Sequence, residues 1–311
     1  MSIYNPDVKP SLLVALSILL ILLGLSACSI IQLQPPRALP VDTAAEQFSA
    51  LRASSHIEVI ASQPRPSGSL GHRQTRDYIL KTLSDLGISA VVQNHITTST
   101  RWGMPFDSAI AENIVGELPG RANSKSILLV CHYDSTPNSL GASDDGSGVA
   151  VLLETARALV SSGPLENNII LLFTDAEEGG ALGAKAFVEQ YEKLDNVGLV
   201  LNFDARGNRG PALLFDTSPE NGYLMEEFTK AVPHPLASSA FYEVARLLGH
   251  ITDFRPFKDA AIAGFNFAFC EGITHYHTPI DNTANLDKRS LQHQGEYALS
   301  LSRHFGNLKL T

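Results

Sequence analysis

The sequence alternates short apolar runs with longer segments in which apolar residues recur every three or four positions. Runs such as 127–131 and 169–173 are typical of strands that are covered on both faces of a sheet. Between them, the apolar residues of segment 149–160 follow one helical face, and Gly163 lies just beyond it as a helix-ending residue. This alternation predicts one α/β domain with three layers, in which helices cover both faces of a central mixed, mainly parallel sheet.

The same patterns assign the individual strands and helices. The predicted strands are 90–96, 110–118, 127–131, 169–173, 197–203, 212–215 and 264–270. The predicted helices are 70–86, 149–160, 182–191, 219–231, 236–248 and 288–305. At about 150 residues per domain, a chain of 311 residues forms one large or two small domains, and the unbroken alternation favours one.

The first 31 residues do not follow this alternation. Residues 12–31 are almost entirely apolar and follow a short polar stretch that contains Lys9. A run of this length spans a bilayer once as a helix, and it also suits the apolar region of a secretion signal. Its end, Leu25-Ser26-Ala27-Cys28, resembles a bacterial lipobox, in which the cysteine is lipidated after cleavage. We therefore expect residues 1–31 to be a lipoprotein signal or an uncleaved single-span anchor.

Both alternatives attach the remainder of the chain to a membrane and place it outside the cytoplasm. Residues 32–41 contain three prolines and are expected to form an extended tether. The folded domain is then expected to occupy residues 42–311.

Composition excludes other classes of protein. The chain has 23 basic and 32 acidic residues, a net charge of −9 and no long basic run, so nucleic acid is not an expected partner. Three cysteines do not form a disulfide framework. Cys131 and Cys270 each end an apolar run and are expected to be buried free thiols.

Residues with metal-binding side chains follow several of the predicted strands. They are His132, Asp134, Asp144, Glu177, Glu178, Asp204 and His277. In an α/β sheet the loops that leave the carboxyl ends of the strands converge on one crevice, so we expect these side chains to meet there. So many acids in one crevice would repel one another unless a cation lay among them. Oxygen and imidazole donors without cysteine suit a catalytic zinc site, and their number favours two metal ions.

Five short motifs follow one another along the chain. They are HYDS at 132–135, GASDDGSG at 141–148, DAEEG at 175–179, NFD at 202–204 and YHTP at 276–279. In composition and order they resemble the motifs of metallopeptidase family 28, the family of aminopeptidases with two cooperating zinc ions. The segment 202–217, with Thr252-Asp253-Phe254, resembles the membrane-anchored branch of the family, which includes vacuolar and endoplasmic-reticulum membrane peptidases and bacterial relatives. The resemblance covers roughly residues 64–307 and implies the zinc-aminopeptidase type of α/β fold.

The resemblance also implies a set of metal ligands. His132 and Asp204 would bind one zinc ion, and Glu178 and His277 would bind the second. Asp144 would bridge the two ions. The implied activity is removal of N-terminal residues from peptides with a free N-terminus, within a zinc peptidase domain at 42–311.

Two further residues receive catalytic roles from the resemblance. Glu177 would be the general base, and its position beside a proposed ligand suits that role because neighbouring side chains point in different directions. Asp134 would orient His132, and a carboxylate two residues past a histidine is well placed to accept its free ring N–H. The resemblance implies in addition that the peptide bond between Asp144 and Asp145 is cis.

Alternatives stay open for single residues. Taken alone, Asp144 and Asp145 would be favoured at the start of a helix as caps, without any metal. His275 is a rival to His277 as a ligand, although Thr-Pro-Ile-Asp after His277 matches the family pattern. Arg206 would either hold substrate or position a loop.

Alternatives also remain for the function. One is a glutaminyl cyclase with a single zinc ion and the same general fold, and the complete ligand set argues against it. Another is a binding lipoprotein that has lost catalysis, and the intact pair Glu177-Glu178 argues against that. A serine hydrolase is disfavoured because Ser147 lacks the nucleophile-elbow pattern. The sequence thus predicts a membrane-anchored, extracytoplasmic aminopeptidase with two zinc ions.

Overall fold

The structure is a computed structural model that describes residues 11–101, 104–122, 125–248 and 252–310. The polar stretch around Lys9, which is expected to begin the anchor, lies outside the described residues. The chain divides into two compact units, Met1–Gln34 and Pro35–Thr311.

The first unit is built on one apolar helix, α1 (Leu12–Gln32). Ser11 caps it by accepting a 3.3 Å hydrogen bond from the backbone N–H of Val14. The helix has 21 residues and a mean hydropathy of 2.7, and its length of about 30 Å matches the hydrocarbon core of a bilayer. Within the described ranges it is the only helix long and apolar enough to cross a membrane. Cys28 lies in this helix and is exposed.

The second unit contains a seven-stranded mixed sheet. Its strands are β1 (Ser89–Arg101), β2 (Met104–Leu118), β3 (Ser126–His132), β4 (Asn168–Thr174), β5 (Val197–Ala205), β6 (Leu213–Thr217) and β7 (Gly264–Phe269). They lie in the order β1-β2-β4-β3-β5-β7-β6. The four central strands β4, β3, β5 and β7 are parallel, whereas β1, β2 and β6 run antiparallel to their neighbours. The predicted mixed α/β sheet is confirmed.

Helices pack on both faces of this sheet. They are α2 (Ala50–Ile60), α3 (Leu70–Asp85), α4 (Gly146–Ser162), α5 (Leu182–Gln190), α6 (Gly222–Ala231), α7 (Ser239–Leu248), α8 (Phe254–Asp259) and α9 (Lys288–Asn307). Successive residues of β3 point to opposite faces, and Leu129 joins the core beneath α2, α4 and α9. Leu128 joins the second core, to which α5 contributes Phe187 and α8 contributes Phe257. The three-layer prediction is therefore confirmed.

Two of these helices are not predicted from the sequence. The buried positions of α2 are Ala50, Ala53, Ile57 and Ile60, and the two alanines weaken the apolar pattern. Helix α8 has six residues, which is too short to display a helical repeat.

Two predicted helices begin later than their patterns suggest. The helix predicted from residue 219 begins at Gly222, because Glu220 has a φ of 55° and leaves the helical region. The helix predicted from residue 236 begins at Ser239, because the carbonyl of Leu236 instead accepts a 2.9 Å hydrogen bond from Leu214 in β6.

Residues 35–41, which are expected to belong to an extended tether, contact other segments of the second unit. The backbone N–H of Leu39 donates a 3.0 Å hydrogen bond to Oε1 of Gln292 in α9. The hydroxyl of Ser49 donates a 2.9 Å hydrogen bond back to the carbonyl of Leu39. These contacts place residues 35–41 in the compact unit Pro35–Thr311.

The parallel strands end at one edge of the sheet. His132 is the last residue of β3, Thr174 of β4, Ala205 of β5 and Phe269 of β7. The loops after these residues therefore converge on one crevice, as expected for an open α/β sheet. Both thiols near this edge are free, Cys131 buried and Cys270 only partly buried.

Candidate metal centre

His132 lies at the base of the crevice with 2% of its side chain exposed. Nδ1 lies 3.3 Å from Oδ1 of Asp134, and Nε2 lies 3.0 Å from Oδ1 of Asp144. The Asp134 carboxylate also accepts hydrogen bonds from the backbone N–H groups of Glu177, at 3.2 Å, and Glu178, at 3.3 Å. Asp134 therefore positions both the imidazole of His132 and the loop that carries the two glutamates.

Asp144 lies between the two histidines of the cluster. Its Oδ1 faces Nε2 of His132 and its Oδ2 faces Nε2 of His277, each at 3.0 Å. Nε2 of His277 is also 3.0 Å from Oε2 of Glu178. A single carboxylate thus contacts both halves of the cluster.

The neighbouring Asp145 has a different role. Its Oδ1 accepts a 2.8 Å hydrogen bond from the N–H of Gly148, so Asp145 caps α4. Its Oδ2 accepts a 3.3 Å hydrogen bond from the N–H of His132. The capping role that the sequence left open for either aspartate therefore falls to Asp145, and Asp144 faces the cluster. The peptide bond between these two aspartates is cis.

The remaining predicted residues lie in the same place. Oε2 of Glu177 is 4.0 Å from Nε2 of His132, and Oδ1 of Asp204 is 3.9 Å from the same nitrogen. The structure therefore brings all seven sequence-predicted side chains together. His275, the rival ligand, instead directs Nδ1 to the carbonyl oxygen of Ile280 at 3.2 Å.

Two groups of side chains in the described residues have ligand atoms close enough to hold a metal ion. They are His132 with Asp145 and Asp204, and Asp144 with Glu178 and His277. In each group these atoms lie within 4.8 Å of one another. Both groups offer only imidazole nitrogen and carboxylate oxygen, which are donors typical of catalytic zinc sites.

Unpartnered atoms support the same fit. Oε1 of Glu178 is buried and has no hydrogen-bond partner within the described ranges. Nε2 of His277 is also buried, and its 3.0 Å contacts with oxygens of Asp144 and Glu178 are not aligned as hydrogen bonds. Buried polar atoms in proteins normally have a hydrogen-bond partner, so both atoms remain available to bind a ligand. The residues present therefore fit a pair of divalent cations.

The acids of the cluster differ in how readily they ionise. Burial raises the pKa of Glu177 well above its usual range, and burial also raises the pKa of Asp204 to about 6. At Asp144 the contacts with His132 and His277 outweigh burial and hold the pKa to about 2. Protons and metal ions bind to the same carboxylate oxygen atoms. The close packing of buried carboxylates, which favours proton uptake, therefore also favours binding of a metal cation.

Arg65 is a charged residue beside the cluster that the sequence analysis misses. Its side chain is fully buried, and Nε donates a 2.8 Å hydrogen bond to the carbonyl of Tyr133. Its two terminal nitrogens donate to the carbonyls of Leu140, at 2.6 Å, and Gly141, at 2.8 Å. Arg65 therefore ties together the two segments that present His132 and Asp144. It precedes these segments by more than sixty residues, and no local pattern marks it.

Two buried aspartates next to the cluster are also missed. Asp281 accepts hydrogen bonds from the backbone N–H groups of Ser143, at 2.9 Å, and Asp144, at 3.1 Å, and so holds the backbone that presents Asp144. Asp253 accepts a hydrogen bond from the hydroxyl of Thr174, and burial raises its pKa to about 7. The resemblance of Thr252-Asp253-Phe254 to the membrane-anchored branch is the signal that would have marked Asp253.

Residues 113–302 match the sequence profile of Peptidase family M28. This chain belongs to that family. The M28 assignment makes the second unit a metallopeptidase domain, and it confirms the resemblance that the five motifs indicate.

The M28 chain is similar to longer proteins, which include an endoplasmic reticulum metallopeptidase and a vacuolar membrane protease. Endoplasmic reticulum metallopeptidase 1 of Mus musculus is 30% identical over 310 residues, which cover 93% of this chain and 34% of that protein. Vacuolar membrane protease of Schizosaccharomyces pombe is 32% identical over 258 residues, which cover 78% of this chain and 30% of that protein. The chain thus spans about a third of the length of these relatives.

Solved structures share the M28 fold. A zinc aminopeptidase from Bacillus subtilis aligns with a TM-score of 0.63 at 19% identity and covers 85% of this chain and 95% of its own. A glutaminyl cyclase from Porphyromonas gingivalis aligns with a TM-score of 0.64 at 23% identity and covers 81% of this chain and 96% of its own. At these identities the similarity establishes the fold. The reaction has to be inferred from the residues of the site.

Proposed function

We propose that this M28 chain is an aminopeptidase that uses two zinc ions. The observation that carries the proposal is the position of Asp144, whose two oxygens lie 3.0 Å from Nε2 of His132 and of His277. His132 and Asp204 would hold one ion, and Glu178 and His277 would hold the other. Asp144, which faces both histidines, would be shared between the two ions, as in hydrolases that use two metal ions.

Zinc bound at these residues supplies Lewis acidity, which polarises the scissile carbonyl and lowers the pKa of water. Glu177 is the general base, because its carboxylate lies beside the cluster, 4.0 Å from Nε2 of His132, and is not needed as a ligand. It takes a proton from the attacking water and passes one to the leaving amine. Asp134 accepts the Nδ1–H of His132, which leaves Nε2 unprotonated and directed at the cluster.

An acidic crevice also explains removal of N-terminal residues. A peptide that binds with its scissile carbonyl at the metal ions places its α-ammonium group among the surrounding carboxylates, and this pairing is favourable in a buried site. An acetylated N-terminus is uncharged and does not form an ion pair with these carboxylates. The expected substrates are therefore peptides with a free N-terminus.

The proposal is tested with the full chain in detergent, which is assayed on aminoacyl p-nitroanilides with free and with acetylated α-amino groups. We expect the free substrates to be cleaved and the acetylated ones to be cleaved at least ~100-fold more slowly, because they lack the paired charge. A chelator should abolish cleavage and zinc should restore it. Conversion of N-terminal glutamine to pyroglutamate without hydrolysis of peptide bonds would contradict the proposal and identify the chain as a glutaminyl cyclase. Peptide binding without any turnover would indicate a binding protein.

The membrane attachment is a further part of the proposal. Helix α1 tethers the metallopeptidase domain to a membrane, either as a spanning helix or as a signal that ends in lipidated Cys28. The length of 21 residues and the high hydropathy of α1 support this, and so does the similarity to a vacuolar membrane protease. The domain lies outside the cytoplasm, where peptides with free N-termini are its partners.

A further inference from the structure

The guanidinium of Arg206 lies next to the candidate metal centre, and no acidic side chain among the described residues pairs with it. Arg206 follows β5 directly, two residues after Asp204. Its Nε is buried and has no hydrogen-bond partner in the described part of the chain. Its backbone N–H donates a 3.0 Å hydrogen bond to the carbonyl of Phe269 in β7, which fixes the base of the side chain.

Arg65 provides a comparison within the same crevice. All three of its guanidinium nitrogens donate hydrogen bonds to backbone carbonyls, at 2.6 to 2.8 Å. Arg206 makes no ion pair and no side-chain hydrogen bond with any described residue. A buried cationic donor without a partner is costly, and the cost disappears when a ligand supplies an acceptor. Arg206 therefore has the properties of a binding group, whereas Arg65 has those of a structural one.

Stacking holds the guanidinium at a defined place. Cζ of Arg206 lies 4.9 Å from the ring centroid of Tyr276, and the Tyr276 ring in turn stacks on the ring of His277 with centroids 3.7 Å apart. A guanidinium over an aromatic face keeps its N–H donors in the plane of the group, directed away from the ring. The stack thus connects a metal-ligand histidine to an unpaired cation.

The stack also fixes the order of the charged groups in the crevice. Oδ2 of Asp144 lies 3.0 Å from Nε2 of His277, at one end of the stack. The guanidinium of Arg206, at the other end, lies against the ring of Tyr276. A substrate in the crevice meets acids at one end and a guanidinium at the other.

We infer that Arg206 binds a carboxylate of the peptide substrate on the leaving-group side of the scissile bond. The inference rests on the proposed function, in which the α-ammonium group lies among the acids. The Cα atoms of Asp204 and Arg206 are two residues apart and so at most about 7 Å from each other. An extended dipeptide spans about the same distance. The carboxylate is then the free C-terminus of a dipeptide, or the side chain of an Asp or Glu that follows the scissile bond.

Four substrates distinguish the two sources of the carboxylate. Leu-Ala and Leu-Ala-amide differ only in the C-terminal charge, and Leu-Asp-amide and Leu-Asn-amide differ only in a side-chain charge. We expect the full chain to prefer the charged member of at least one pair by ~10- to 100-fold in kcat/KM, as a charged hydrogen bond provides. The pair that shows the preference identifies the source.

Variants assign the preference to Arg206. In Arg206→Gln the ratio within that pair should fall to near one. Arg206→Lys should keep part of the ratio, because the charge stays but the planar pair of donors is lost. Arg209→Gln is the matched control, since it removes the same charge from an exposed position on the same loop and should keep the full ratio.

A second measurement separates this inference from the proposed function. Calorimetry with the Glu177→Gln chain loaded with zinc measures dipeptide binding without turnover, and adding Arg206→Gln should weaken binding of the charged member by the same factor. If the parent chain cleaves none of the four substrates, the proposed function fails, and the binding ratio alone decides the role of Arg206. If Arg206→Gln lowers all four rates equally, or leaves the binding ratio unchanged, Arg206 does not bind a substrate carboxylate.

Discussion

Nε2 of His72 lies 2.8 Å from Oδ1 of Asp175, and only 1% of either side chain is exposed. Asp175 also accepts a 2.7 Å hydrogen bond from the hydroxyl of Ser67, and its position in the chain is two residues before Glu177. The His72 ring stacks on Tyr133 with centroids 4.6 Å apart. The pair therefore joins the start of α3 to the loop that carries the proposed base.

Replacing His72 by Leu should destabilise the domain, because it leaves the buried Asp175 carboxylate without its imidazole partner. Removal of one member of a buried pair typically costs 3–5 kcal/mol, so we expect the free energy of unfolding to fall by about 3 kcal/mol in urea titrations. Lys81→Gln, on the exposed side of the same helix, is the control and should change it by less than about 0.5 kcal/mol. Equal stability of His72→Leu and the parent would show that the pair does not hold this loop.

Glu177→Gln should lower kcat by ~10²- to 10⁴-fold, the usual contribution of a positioned general base, with little change in KM. The amide keeps the size of the side chain but takes up no proton. Both zinc ions should remain bound, as elemental analysis would show. Glu178→Gln should instead reduce zinc content and activity together, and excess zinc should restore part of both. If Glu177→Gln lost zinc and Glu178→Gln kept it, Glu178 would be the general base and Glu177 the metal ligand.

His277→Ala should remove about one of two zinc ions per chain, because it deletes one of the few protein ligands of an open catalytic site. His275→Ala is a close control, since this histidine is two residues away and faces the carbonyl of Ile280. It should retain both ions in elemental analysis. Loss of zinc from His275→Ala alone would move the ligand assignment to His275.

His293 should make the domain less stable in mild acid. Burial lowers its pKa to about 4 and outweighs the 2.9 Å contact of Nε2 with the carbonyl oxygen of His234, which raises the pKa. Nδ1 accepts the N–H of Ala212 at 3.1 Å and so carries no proton in the folded chain. An unfolded histidine titrates near 6.5. Between about pH 6.5 and pH 4 the unfolded chain therefore takes up a proton that the folded chain does not, and stability falls with the pH, by about 3 kcal/mol in total. Above about pH 6.5 this contribution is complete.

The measurement compares urea titrations of the metal-free parent and His293→Gln from pH 7.5 to pH 4. The variant has no imidazole to protonate, so the difference in unfolding free energy between the two chains should shrink as the pH falls. Subtracting the two curves removes the contribution of the acids in the crevice. Parallel curves would contradict the role of His293.

The chain should fractionate with membranes, and Cys28→Ser should lose an acyl label and accumulate as an uncleaved precursor. Aminopeptidase activity should persist in this variant, because no proposed ligand lies in α1. Ser29→Ala, the neighbouring substitution, should keep the label. A parent chain without label would make α1 a spanning anchor, and a parent chain in the soluble fraction would contradict the anchor.

Much of the fold is readable from the sequence because burial on both faces of a strand leaves a local mark. The apolar runs of β3 and β4 and the helical face of α4 are of this kind, and the rule that loops converge at strand ends brought His132, Asp204 and Glu178 into one predicted crevice. Local patterns do not register alanine-rich or very short helices, so α2 and α8 are absent from the prediction.

The sequence by itself therefore determined the layers of the fold, the family and the residue types of the site. Only the tertiary structure decided which contacts each of these side chains makes. In the folded chain Asp144 faces the crevice, and Asp145 caps the N-terminus of α4. Arg65 donates a hydrogen bond to the carbonyl of Gly141, 76 positions further along the sequence. The spacing of apolar residues reflects the secondary structure of a local segment and the face that it buries. Contacts such as these depend on where distant segments meet, and that information arises only when the whole chain packs.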